Sequence, residues 1–209
     1  MSTLGLLENK IEQQKTMTNL VGLVLSALGA EEAAHLLINL VPDDHKELCN
    51  MVLDCCSEAG AHLLGQRLCI INDVYRMNFE SLFVEMYSEA RGLLEESNVA
   101  KFFAHLLAAD ALPWHVLGCI SLSEHNTTPS KQIFVKYLFQ ELADHLGLRS
   151  LNGRLSDPAL RGYLELIFPR DDLDNTRFAI NFLTGIGLGG ITENLREYYY
   201  LTSHPELAF

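Results

Sequence analysis

The stretch TPSKQIFVKYLFQELADHLG, Thr128 to Gly147, carries the full set of signals for one α-helix. Phe134, Leu138 and Leu142 recur at i, i+4 and i+8 with Tyr137 and Leu146 beside them, which is the 3.6-residue period of a helix with one apolar face. Thr128 is placed to accept a hydrogen bond from the first turn, Pro129 suits the first helical position, and Gly147 suits the residue just past the end.

The same reading extends in both directions. TMTNLVGLVLSALG runs to Gly29, AEEAAHLLINL stops before Pro42, and DHKELCNMVLDCCSE starts from Asp43 or Asp44 as cap. GAHLLGQRLCII, DVYRMNFESLFVEMYSEARGLLEE and NVAKFFAHLLAADAL follow, the last stopping at Pro113, where PWHVLGCISL begins. DPALRGYLELIF offers Asp157 as cap and Pro158 at the first turn. DLDNTRFAINFLTGI sets Phe178, Phe182 and Ile186 on one face, and TENLREYYYL starts from Thr192. No run alternates apolar and polar residues over six positions with β-branched enrichment, so no sheet is expected. Ten or more helices joined by short turns predict an all-α chain of stacked antiparallel helical hairpins, a HEAT-like α-solenoid. The expected organisation is a polar, flexible lead-in over 1–15, a single helical domain over 16–201, and a tail over 202–209.

Composition narrows the function. With 15 basic against 27 acidic residues the net charge is −12, and the basic residues form no run. Affinity for nucleic acid comes largely from Lys and Arg neutralising phosphates, so independent nucleic-acid binding is not expected. The longest apolar run, Leu20 to Leu28, is interrupted by Gly22 and Ser26 and is too short for a membrane span. The N-terminus lacks the basic and apolar regions of a secretory signal, so an intracellular, soluble protein is expected. Cys49, Cys55, Cys56, Cys69 and Cys119 lie in apolar helical stretches and read as reduced thiols packed as small hydrophobes.

Several constellations bear on chemistry, and each has a structural reading. Gly185, Gly187 and Gly190 match the G-x-G-x-x-G spacing of dinucleotide sites. That fingerprint needs a strand entering the turn and an acidic residue about 20 positions on. Here a helical pattern enters instead, so the glycines are expected to stop a helix and turn the chain through Gly189 and Gly190. His45, Cys49 and Cys56 share a helical face but lack the paired spacing of zinc ligands. Asp171, Asp172 and Asp174 lack the Gly and the Glu of a calcium loop and read as an acidic helix start. The eight histidines accompany no nucleophile motif. No catalytic, cofactor-binding or metal residue is therefore expected. Trp114 reads as a packing anchor, and Tyr198 to Tyr200 fan around a helix so that at least one is exposed.

ELCNMVLDCCSE, NVAKFFAHLLAADALPWHVLGCI, SKQIFVKYLFQELADHLGL, LNGRLSDPAL and FPRDDLDNTRFAINFLTGIGLGGITENLRE occur in this order. Together, and above all through NTRFAINF and GIGLGG, they resemble the nucampholin family of pre-mRNA-splicing factors, over its MA-3 region from about Met17 to Tyr200. The resemblance implies an MA-3-type helical scaffold without enzymatic activity, acting in the nuclear spliceosome and supporting exon junction complex assembly. It implies contacts with the U5 central scaffold protein and the elongation-factor-like GTPase. The family's exon-junction DEAD-box helicase is held by an initiation-factor-4G-like middle domain absent here, so helicase delivery is not credited to these residues. CCSEAGAHLLGQRLC, Cys55 to Cys69, is shorter than the family's stretch. The alternative is an MA-3 module that binds and regulates a DEAD-box helicase in translation or ribosome biogenesis. The candidate partner-binding residues are Arg170, Asp171, Asp172, Asn175 and Arg177 at one helix start, with Glu193, Arg196 and Tyr199 on the last helix, where charged and aromatic residues gather on polar positions.

Overall fold

The computed structural model describes residues 3–41, 44–90 and 95–204, with side chains placed for all but 3–11, 13–14 and 95–96. The described residues are helical, without a strand. They divide into two compact units, Met1–Leu82 and Phe83–Phe209, where the sequence predicted one domain over 16–201.

The first unit holds α1 (Thr3–Leu28), α2 (Ala30–Leu40), α3 (His45–Asp54), α4 (Ala61–Ile71) and most of α5 (Asp73–Ser88). Helix α1 includes residues 3–15 of the stretch expected as a flexible lead-in over 1–15, and residues 1–2 lie outside the described residues. Gly29 alone joins α1 to α2, and Asp44 caps α3 by accepting from the Glu47 N–H at 2.9 Å. The core of this unit is Leu37, Leu48, Met51, Leu64, Leu68 and Phe79, all essentially inaccessible. Cys49 and Cys69 are buried in it, and burial pushes the Cys69 thiol up to about 12 and Cys49 still further. His45 packs its ring on Tyr75, 5.1 Å between centroids, and Cys49 is buried on the same helix, whereas Cys56 lies in the turn beyond the end of α3 and not on its face.

The second unit is built on α6 (Glu95–Ala108) and α7 (Pro129–Leu146). Phe83, at the end of α5, meets Phe103 of α6 and Phe134 of α7 edge-on at 5.2 and 5.7 Å between ring centroids. The helix that opened the sequence analysis has the predicted ends: Thr128 accepts from the Lys131 N–H at 3.3 Å, and Gly147 follows Leu146 with φ 76°. Helix α8 (Leu148–Leu155), α9 (Leu173–Gly185) and α10 (Glu193–Ser203) complete the unit. The tail expected over 202–209 is helical to Ser203, and 205–209 lie outside the described residues.

Two predicted helices take another form. Trp114–Cys119 is a 3₁₀ segment, with Trp114 buried as an anchor and the Arg154 guanidinium 5.6 Å above its ring. Pro158–Leu160 is a single 3₁₀ turn, and tight turns carry the chain on to Phe168. Gly162 weakens a helix there. The backbone is also drawn out of the helical pattern, because the Leu166 carbonyl accepts from the Leu122 N–H at 2.8 Å. Thr192 occupies the N-cap position of α10 but is fully buried and makes no cap bond; its hydroxyl donates to the Gly189 carbonyl at 2.7 Å.

Candidate partner-docking site

The segment between α8 and α9, irregular apart from its one 3₁₀ turn, lines a groove on the surface of the second unit. Its course is set by side chains that capture backbone groups. Asp157 accepts from the Ala159 N–H at 2.9 Å, and Leu164 and Ile167 bury themselves three residues apart. The Thr176 hydroxyl, fully buried on α9, is shared between the Pro169 and Asp172 carbonyls at 2.8 Å each. Tyr198 of α10 donates its hydroxyl to the Arg170 carbonyl at 2.5 Å, and the Arg170 guanidinium lies 5.3 Å over the same ring.

A groove of about 630 Å³ runs between this segment, α8 and the start of α10. Arg161, Glu165, Leu166, Arg170, Asp171 and Asn194 supply much of its lining, over a floor that includes Leu155, Leu164 and Leu195. Leu166 is 52% exposed although its carbonyl is held inside the fold. Charges of both signs around an apolar floor suit a protein surface: apolar contact supplies affinity, and the charges fix register and reject mismatched partners.

The sequence candidates separate on this geometry. Arg170 and Asp171 line the groove. Asp172 caps α9, its carboxylate accepting from the Asp174 and Asn175 N–H groups at 2.7 and 3.4 Å. Arg177 pairs with Asp174 at 2.9 Å on the exposed side of α9. Arg196 donates to Thr192 at 2.9 Å and to Thr184 at 2.7 Å, tying α10 back to α9. Glu193 is exposed on the first turn of α10, and Tyr199 is half-buried. Of the three tyrosines, Tyr198 makes the structural bond and Tyr200 is the exposed one. Arg161, Glu165 and Asn194 escape a linear reading because they come together only when the segment after α8 folds back toward α10.

The three motif glycines have separate structural roles. Helix α9 enters the motif, as the periodicity predicted, and Gly185 is its last residue. Gly187 sits at φ 89°, with its N–H on the Thr184 carbonyl and the Leu188 N–H on the Leu183 carbonyl, at 3.0 and 2.8 Å. This is the Schellman termination, closed by the buried pair Leu183 and Leu188. Gly190 lies against α8, where a Cβ would stand 2.9 Å from Leu148 Cδ2, the tip of a partly exposed side chain that would have to shift. Among the described residues no helix is long and apolar enough to cross a membrane.

Residues 14–113 match the MA3 domain. Over 88% of its length the chain is 48% identical to the human pre-mRNA-splicing factor CWC22 homolog. Over the same share it is 46% identical to the Drosophila melanogaster homolog and 41% to the Emericella nidulans pre-mRNA-splicing factor cwc22. It spans 22% of the length of the human relative and 15% of the fly one. The similarity reaches well beyond the MA3 span, as the ordered motifs of the C-terminal half implied. The chain thus carries an MA3 domain in an all-helical, HEAT-like fold and corresponds to the MA-3 region of the CWC22 pre-mRNA-splicing factors.

Proposed function

We propose that the chain is a non-enzymatic protein-binding scaffold module of a nuclear pre-mRNA-splicing factor. It docks to core spliceosomal proteins of the U5 particle, the central scaffold protein and the elongation-factor-like GTPase, and so supports splicing and exon junction complex assembly. The observation that carries this reading is the 41–48% identity to splicing factors over 88% of the chain. The groove between α8 and α10 supports it, since its mixed charges and apolar floor fit a peptide segment of a partner. The negative net charge supports a protein partner over bare nucleic acid.

The test is affinity capture from nuclear extract on the 209-residue chain, with mass spectrometry of the bound proteins, beside a Leu166→Asp, Arg170→Glu variant. Recovery of the U5 scaffold protein and GTPase by the parent chain, and their loss from the variant, is the expected result. Recovery of a DEAD-box helicase alone overturns this reading in favour of the alternative, an MA3 module regulating such a helicase. Recovery of none of these proteins refutes the proposal.

A further inference from the structure

Away from the groove, on the packed pair α6 and α7, three side chains converge. Glu141 and His145 stand one turn apart on α7, and His105 reaches the same point from the last turn of α6. His105 Nε2 is 3.3 Å from Glu141 Oε1, and His145 Nε2 is 3.8 Å from that same oxygen. The two imidazoles meet edge to face with centroids 4.2 Å apart, and the ligand atoms of the three residues all lie within 4.8 Å of one another. Glu141 and His105 are about four-fifths covered, whereas the His145 side chain is 43% exposed.

Two imidazole nitrogens and a carboxylate oxygen gathered at one point also make the donor set of a borderline divalent metal, because imidazole and carboxylate suit zinc, whereas calcium and magnesium take oxygen ligands. The spacing agrees. With metal–ligand lengths of about 2.0–2.2 Å, tetrahedral ligands stand roughly 3.3–3.5 Å from one another. The His105–Glu141 distance already lies in that range, and the wider separations, none beyond 4.8 Å, close by rotation of the exposed His145 side chain. The helices that carry the residues are held by the Phe83, Phe103 and Phe134 cluster, so the positions are set by packing before any ion arrives.

We propose that His105, Glu141 and His145 form a zinc-binding site that staples α6 to α7. The ligands are His105 Nε2, Glu141 Oε1 and His145 Nε2, and the fourth position opens to solvent on the His145 side, where a water completes the tetrahedron.

The test is titration of the chelator-treated 209-residue chain with Co²⁺ and then Zn²⁺. The expected result is a tetrahedral Co²⁺ absorption in the visible, at one ion per chain, without the near-ultraviolet thiolate charge-transfer band, and abolished by stoichiometric Zn²⁺. His145→Ala alters an exposed side chain and Glu141→Gln keeps the shape of its own. Each is expected to weaken binding at least about tenfold with an unchanged far-ultraviolet circular dichroism spectrum. Absence of the visible band, a thiolate band showing that cysteines hold the ion, or an affinity unchanged from the parent chain in both variants would overturn the proposal.

Discussion

Gly185→Ala and Gly187→Ala should move stability in opposite directions, although the two positions lie two residues apart in one glycine motif. The surroundings do not separate them, since a Cβ at either meets nothing within 4 Å. The backbone does. Gly185 is the last residue of α9, in ordinary helical conformation, so alanine there recovers part of the entropy that glycine loses on folding, about 0.5 kcal/mol at a helix end. Gly187 is at φ 89°. An L-residue in the left-handed region pays about 1–2 kcal/mol, against which the entropy gain offsets roughly 0.5 kcal/mol, leaving a net loss near 1 kcal/mol. The pair should therefore differ by about 1.5 kcal/mol, or roughly 3–6 °C in Tm for a chain of this length. Thermal and urea unfolding of both variants, followed by far-ultraviolet circular dichroism, measures this. Gly187→Asn is the control, because Asn tolerates the left-handed region and should lose less than Ala. If Gly185→Ala proves as destabilising as Gly187→Ala, the assignment of Gly187 alone as the helix terminator is wrong.

Three further outcomes follow from the geometry. Asp110 receives both guanidinium nitrogens of Arg154 at 2.7 and 2.6 Å, and these bonds hold its carboxyl below the usual range. A lowered carboxyl contributes stability above the unfolded value, about 3.9, that is lost as pH falls through the folded one. Both side chains are about half exposed, so Asp110→Asn should lose less than about 1 kcal/mol at neutral pH, and the difference from the parent should vanish toward pH 2–3 in urea titrations; asparagine also keeps the left-handed backbone at φ 54°. Thr176→Val preserves the side chain's shape but removes the hydroxyl donor from the Pro169 carbonyl, while the Asp172 carbonyl keeps the Thr176 N–H at 2.9 Å, so unfolding in urea should show a loss of about 1–3 kcal/mol. Burial pushes the Cys69 and Cys119 thiols up to about 12 and about 11; at pH 8 both should react with a disulfide reagent far more slowly in the native chain than in 6 M guanidinium, and equal rates would contradict the packing.

The helices most legible in the sequence are those whose ends carry their own chemistry. Thr128 and Asp44 cap as expected, and of the acidic run expected at a helix start Asp172 is the residue that caps, because a cap is a local bond between a side chain and an amide two or three residues away. Helix α8 went unpredicted: Ser150, Asn152 and Gly153 give it low propensity, and it forms because Leu151 and Leu155 are buried one turn apart. The stretch from Asp157 to Phe168 failed in the other direction, reading as a helix where the Leu122 N–H claims a carbonyl from outside. The metal-type cluster divides in the same way. Glu141 and His145 are visible as an i, i+4 pair, but His105 joins them only through the register of α6 on α7, which periodicity within one helix does not determine.

The candidate surface shows why residues that hold a site and residues that face it need different probes. Asp172, Arg177 and Arg196 were singled out for their charge, yet each has hydrogen-bonding partners within the fold. Loss of partner binding on replacing Arg196 is ambiguous, because the same change unties α10 from α9. Arg170 is intermediate: its guanidinium packs on Tyr198 while its backbone carbonyl, independent of side-chain identity, receives the tyrosine hydroxyl. Leu166 is the cleanest probe, since its fixed part is the carbonyl bound by Leu122 and its side chain stands half exposed at the groove. A binding defect at Leu166 without a stability defect therefore reports contact. A defect at Arg196 that tracks Tm reports only that the last two helices must stay together for the groove to exist.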